Sequence, residues 1–107
     1  MATGMKILRS KHFTAERAWG GELIAAISDA TVRLHWTDQP YRWHVNDGEE
    51  IFAVMDGIVD MHYRVAGAEQ VVTLEAGDLF FAADGDAHCA HPRGAARILV
   101  IERANTP

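Results

Sequence analysis

Apolar and polar residues alternate along this chain in short runs, and no segment sustains helical periodicity over three turns. Over residues 31–36, Val32, Leu34 and Trp36 fall on one face and Arg33 and His35 on the other. After Gly57 the pattern repeats, with Val59, Met61 and Tyr63 opposed to Asp60, His62 and Arg64. Further short apolar runs occupy residues 22–27, 51–55, 70–74, 79–81 and 96–101, and residues 88–91 form a short polar stretch. Between them lie turn signals at Asp38-Gln39-Pro40, Asn46–Glu49, Ala66-Gly67-Ala68, Glu75-Ala76-Gly77, Asp84-Gly85-Asp86 and Pro92-Arg93-Gly94. Asp56-Gly57 reads as a two-residue hairpin turn. Eight or nine short strands at such spacing predict an all-β sandwich or barrel. Residues 1–20 read as an N-terminal arm, with a short strand at Met5–Leu8 and one helical turn capped by Thr14, and residues 21–107 as a single barrel domain. Residues 41–57 and 77–94 are a loose two-fold echo of one another.

Two segments, residues 79–82 and 98–101, are apolar on both faces. An antiparallel strand in a monomeric barrel ordinarily has one wet face, so a second packed layer is expected, and a homodimer supplies it most simply. Residues 5–8 are expected to pair across that dimer and cover a sheet edge.

Composition narrows the function classes. The chain has 107 residues, 49% of them apolar, which suits one globular domain with a core. A net charge of −5 argues against nucleic acid as a partner. No apolar run is long enough to span a membrane, and the first residues lack a hydrophobic signal core. A single cysteine, Cys89, permits no internal disulfide and fits a reducing cytoplasmic location.

The candidate chemistry gathers in residues 41–57. His44 and Asn46, two apart, share one strand face, and Glu50 leads Phe52 and Val54 on a face of the next strand. A carboxylate heading an apolar face is costly unless paired, solvated or metal-bound. Plainer readings stand beside these. His44 can be a hydrogen-bonded rim histidine, Glu50 can pair with Arg42 or Arg33, and His88 can be an exposed loop residue. Cys89 and His91 suggest a thiol–imidazole pair, but alternation sets them on the face opposite His88. His62 with Asp60 and Arg64 reads as a solvated sheet face.

These segments resemble the two motifs of the small single-domain cupins. The first motif is matched by His44-Val45-Asn46, three residues, Glu50, six residues, Gly57, and the second by Gly77, five residues, Ala83-Asp84-Gly85, two residues, His88. The chain end, Ile98 to Asn105, is similar to the mannose-6-phosphate-isomerase-like cupins. The departures are Asp38 for the opening Gly, Asn46 for the second histidine, Ala83 for a Pro and Pro92 for the closing Asn. The resemblance implies a double-stranded β-helix, or jelly-roll barrel. It also implies that His44, Asn46, Glu50 and His88 occupy the metal-ligand positions.

Two histidines and a carboxylate suit Fe, Mn, Ni or Zn, whereas an amide is a poor donor to softer ions. Arg33, His35, Trp36, Tyr41, Trp43, Phe52 and Phe81 are candidates to line the substrate pocket. Three functions then compete. One is a metal-dependent enzyme of isomerase or dioxygenase type, and another a metal-free module binding a small polar molecule such as a sugar or carboxylate. The third is a dimeric interaction protein with a lapsed metal site.

Overall fold

The structure, a computed structural model, describes residues 4–104. Nine strands follow a short 3-10 turn at Ser10–His12: β1 (Gly20–Ile27), β2 (Ala30–Thr37), β3 (His44–Val45), β4 (Glu50–Asp56), β5 (Ile58–Val65), β6 (Ala68–Glu75), β7 (Leu79–Ala82), β8 (Ala87–Pro92) and β9 (Ala96–Arg103). They form two antiparallel sheets, one in the order β1-β2-β9-β4-β7 and the other β3-β8-β5-β6. The echoing segments lie side by side, because β3 pairs with β8 and β4 with β7. This is the jelly-roll barrel that the strand count and the motifs predict. No helix among the described residues is long and apolar enough to cross a membrane.

The inner faces of the strands divide the barrel into a dry half and a polar half. Phe52, Val54, Val59, Met61, Leu74, Ala90, Ala96, Ile98 and Val100 form the buried core. Along β4 the inward positions run Glu50, Phe52, Val54, and β9 runs Glu102, Val100, Ile98, with Glu50 opposite Glu102 and Phe52 opposite Val100. Each strand therefore passes from a charged residue at one end to fully buried aliphatic ones at the other. A residue slip in register would turn this whole set outward.

Asp56-Gly57 is not a hairpin, contrary to its dipeptide signature. β4 belongs to one sheet and β5 to the other, so this turn is the corner where the chain changes sheets. Gly57 has φ +88, and a Cβ there would lie 2.6 Å from the Ala95 carbonyl oxygen. Two-residue hairpins lie instead at Ala66-Gly67, which joins Val65 to its partner Ala68 with φ of 50 and 79, and at Ser28-Asp29, which joins Ile27 to Ala30.

The arm also departs from expectation. The helical turn sits at Ser10–His12 rather than after Thr14, and residues 5–8 are outside the strands of their own chain, with Met5 and Ile7 exposed. Arg97 explains the placement. Its Nε donates to the Phe13 carbonyl at 2.8 Å while Nη1 pairs with Asp56 at 2.9 Å, fixing the arm to the outside of β9. Asn105 and the residues at both chain ends lie outside the described residues.

Asp60, His62 and Arg64 lie on the outer face of β5, and Asp60 accepts two hydrogen bonds from Arg93 and one from Thr73.

The corner gives a test. Gly57→Ala combines a left-handed φ with a backbone collision and is expected to lower unfolding free energy by about 2 kcal/mol or more. Gly67→Ala, where a Cβ meets open space, is expected to cost less, about 1 kcal/mol. Urea denaturation of the two variants checks the order.

Candidate metal centre

The polar half of the barrel encloses a cavity of about 200 Å³ lined by Trp19, Arg33, His35, Tyr41, His44, Glu50, Phe52, His88, Ala90, Val100 and Glu102. Its central feature is set by strand pairing. β3 lies antiparallel to β8 with His44 directly opposite His88, and β4 brings Glu50 to the same interior. One ligand atom from each of His44, Glu50 and His88 lies within 4.8 Å of the others. Glu50 and His88 are 7% and 2% exposed, so the open-loop reading of His88 and the arginine-pairing reading of Glu50 both fall. Arg42 instead donates to the Tyr41 hydroxyl at 2.9 Å.

Glu50 Oε1 and His88 Nε2 approach to 2.8 Å, yet Oε1 has no hydrogen bond of acceptable geometry, and neither does His88 Nδ1. A buried carboxylate oxygen left this way costs about 1–3 kcal/mol or more. A cation shared with the facing imidazole removes the cost. His44 Nδ1 faces the Arg42 carbonyl at 3.2 Å, and a carbonyl only accepts, so the neutral ring carries its proton there. Its Nε2 lone pair is thereby free, the arrangement of a metal-ligating histidine held by its other nitrogen. These three side chains fit a divalent transition ion.

The electrostatics point the same way. Burial is the largest influence on His44 and holds its pKa below 6.5, and the neighbouring His88 adds to this against the Arg42 carbonyl. Burial likewise lowers His35, whose Nδ1 donates to the Trp19 carbonyl at 3.0 Å. For Glu50, burial alone would raise the carboxyl, but contact with His88 and the charges of His88 and His44 outweigh it and hold the pKa below 4.5. Glu102 also hydrogen-bonds to Glu50. These directions favour a neutral His44 imidazole and an ionised Glu50, the forms in which such groups bind metal.

Of the residues singled out in the sequence, His44, Glu50, His88, Arg33, His35, Tyr41 and Phe52 come together here. Asn46 does not line the cavity. It is buried with its amide nitrogen 3.5 Å from the Ala82 carbonyl, and its backbone bonds Asp86 and Gly85, because β3 ends at Val45 and Asn46 leads into the bend at Asp47-Gly48.

Trp36, Trp43 and Phe81 are also away from the cavity. Trp36 and Phe81 follow strand alternation to the outer face, where Phe81 is 57% exposed, and Trp43 packs beneath the Arg64 guanidinium at 4.1 Å. Cys89 and His91 do meet, Sγ to Nε2 at 3.3 Å, on the face opposite His88. Burial raises the Cys89 thiol, and Sγ donates to the Tyr41 carbonyl, so it is a poor nucleophile.

Trp19 and Glu102 line the cavity without having been singled out. Trp19 ends the arm with φ 61, donates from Nε1 to the Gln39 carbonyl, and meets the Tyr41 ring edge-on at 5.2 Å. Tyr41 in turn meets His44 at 5.3 Å, so an aromatic chain runs from the arm to the His44 and His88 imidazoles. Nothing local in the sequence marks Trp19. Glu102 was legible from register alone, since it pairs with Glu50 across β4 and β9.

The fold is the double-stranded β-helix of the small single-domain cupins. No protein-family model matches the chain, and no curated protein is similar to it. Among solved structures it is similar to a cupin-2 domain protein from Shewanella frigidimarina, at 27% identity over 83% of this chain and 84% of that one, with a TM-score of 0.74. It is also similar to a cupin superfamily protein from Desulfitobacterium hafniense, at 11% identity over 96% of this chain and 94% of that one, TM-score 0.77. A third is hydroquinone 1,2-dioxygenase from Sphingomonas, with 4-hydroxybenzoate bound. There 85% of this chain matches 29% of the other at 18% identity and TM-score 0.75.

The lowered histidines give a pH dependence. Their folded-state values lie below the unfolded 6.5, so the stability they contribute is present above pH 6.5 and is lost as pH falls through the folded values. In chelator-treated protein the urea midpoint is expected to fall between pH 7 and pH 5, and to fall less in His35→Gln. Equal slopes in the two proteins would contradict the assignment.

Proposed function

We propose that this protein is a metal-dependent cupin that binds a small oxygenated molecule beside a divalent ion held by His44, Glu50 and His88, and acts on it. The observation that carries the reading is the convergence of these three buried ligand atoms on one cavity, with Glu50 Oε1 lacking a hydrogen-bond partner. Such an ion supplies Lewis-acid polarisation of a bound oxygen, or oxygen chemistry if it is iron. The cavity residues do the rest. Tyr41 and Trp19 close one side with aromatic rings, Phe52, Ala90 and Val100 form a dry floor, and from β2 Arg33 presents donors and His35 the acceptor Nε2. A cavity of this size holds a molecule smaller than a typical drug. Iron is the first ion to test, because a structurally similar hydroquinone 1,2-dioxygenase is known in complex with Fe3+.

Elemental analysis of untagged protein tests the ion. About one equivalent of iron, manganese, nickel or zinc per chain is expected, falling below a tenth in His88→Ala. Metal retained in that variant would contradict the assignment, as would a wild-type protein that takes up none on reconstitution.

A homodimer is the second part of the proposal. The outer face of the five-stranded sheet exposes Leu79 at 70%, Phe81 at 57%, Met55 at 41% and Ile51 at 38%. These positions lie on paired strands, Ile51 opposite Phe81 and Ala53 opposite Leu79, so they form one contiguous apolar patch. Sedimentation at low micromolar concentration is expected to give a dimer for wild type and a monomer for Phe81→Glu. A monomeric wild type would remove this part.

A further inference from the structure

Arg33 stands on the inner face of β2 and lines the same cavity as the three ligand residues. Its Nη1 donates to the Thr31 hydroxyl at 3.2 Å, and that is one of five donors on a planar fork. The ion pairs among the described residues are His62–Glu69, His88–Glu50, Arg93–Asp60 and Arg97–Asp56, and Arg33 is in none of them. A half-buried guanidinium without a carboxylate partner is an anion site waiting for its anion, because its fork matches a carboxylate in bidentate fashion.

We infer that the cavity's ligand is a small organic monocarboxylate with a second oxygen donor, its carboxylate held by Arg33 and its other oxygen directed at the His44–Glu50–His88 centre. This rests on the metal centre proposed above. Charge selects the class. Arg33 and a divalent ion are both cationic, so an anion that carries a second oxygen answers both, whereas phosphate has no apolar body to set against the cavity wall. A neutral sugar would leave the guanidinium unpaired, which is costly in a partly dry site. Trp19, Phe52, Ala90 and Val100 offer an apolar wall to the body of the ligand rather than the hydroxyl partners a sugar requires.

The test uses zinc-loaded full-length protein and two probe acids, 2-hydroxybenzoate and 2-hydroxypropanoate, with their neutral amides and inorganic phosphate as controls, followed by calorimetry. At least one acid is expected to bind saturably, its amide at least about tenfold more weakly. Arg33→Gln is expected to weaken the acid by at least about tenfold and leave the amide and the zinc content unchanged, while Arg33→Lys recovers part of the loss. Zinc-loaded protein that ignores both acids overturns the inference. So does an acid affinity that survives Arg33→Gln, or phosphate binding tighter than either acid. Zinc content on the same samples separates the two claims, since a wild type that takes up no zinc contradicts the metal centre itself.

Discussion

Everything in the polar half of this barrel depends on a carboxylate placed where water barely reaches. Glu50 is 7% exposed and sits against His88, which is 2% exposed. Desolvating that charge is costly, and the surroundings are arranged to offset it. His88 lies at 2.8 Å, His44 adds its imidazole, and Glu102 hydrogen-bonds from the neighbouring strand. The compensation is incomplete within the protein, because Oε1 lacks a bond of proper geometry. A buried acid left one partner short favours a cation beside it, and the His44 and His88 imidazoles complete the donor set.

The strand topology makes the arrangement possible. The pairings of β3 with β8, and of β4 with β7 and β9, align polar residues in one layer and aliphatic residues in the next. Phe52, Ala90 and Val100 are the boundary, belonging to the core or packing beside it on one side and to the cavity on the other. The dry half supplies rigidity, and the corner at Gly57 keeps β4 and β5 in separate sheets so that the barrel closes over the site.

Much of this was legible in the sequence. Alternation and turn signals mark the strands, and motif spacing singles out His44, Glu50 and His88, which the fold brings together. Alternation could not say which face of β2 turns inward. Both faces of the five-stranded sheet are rich in apolar residues, and the polar set, Arg33 and His35, faces the interior while Trp36 faces out. The dipeptide Asp56-Gly57 misled because a left-handed turn serves a corner between sheets as well as a hairpin within one. Asn46 shows the limit of carrying a motif over by position, since a two-residue strand ends before it and its side chain is spent on the Ala82 carbonyl. Trp19 was out of reach, as only the fold brings the end of the arm against Tyr41 and His35.

The central claim is that His44, Glu50 and His88 form the ion's protein ligands and Asn46 does not. Anomalous diffraction from crystals of the manganese-loaded protein tests it most directly. The account predicts one peak bonded to both imidazoles and to the Glu50 carboxylate, with its remaining ligands from solvent. A peak bonded to Asn46, a peak elsewhere in the barrel, or a fully loaded protein with no peak at this cavity would contradict it.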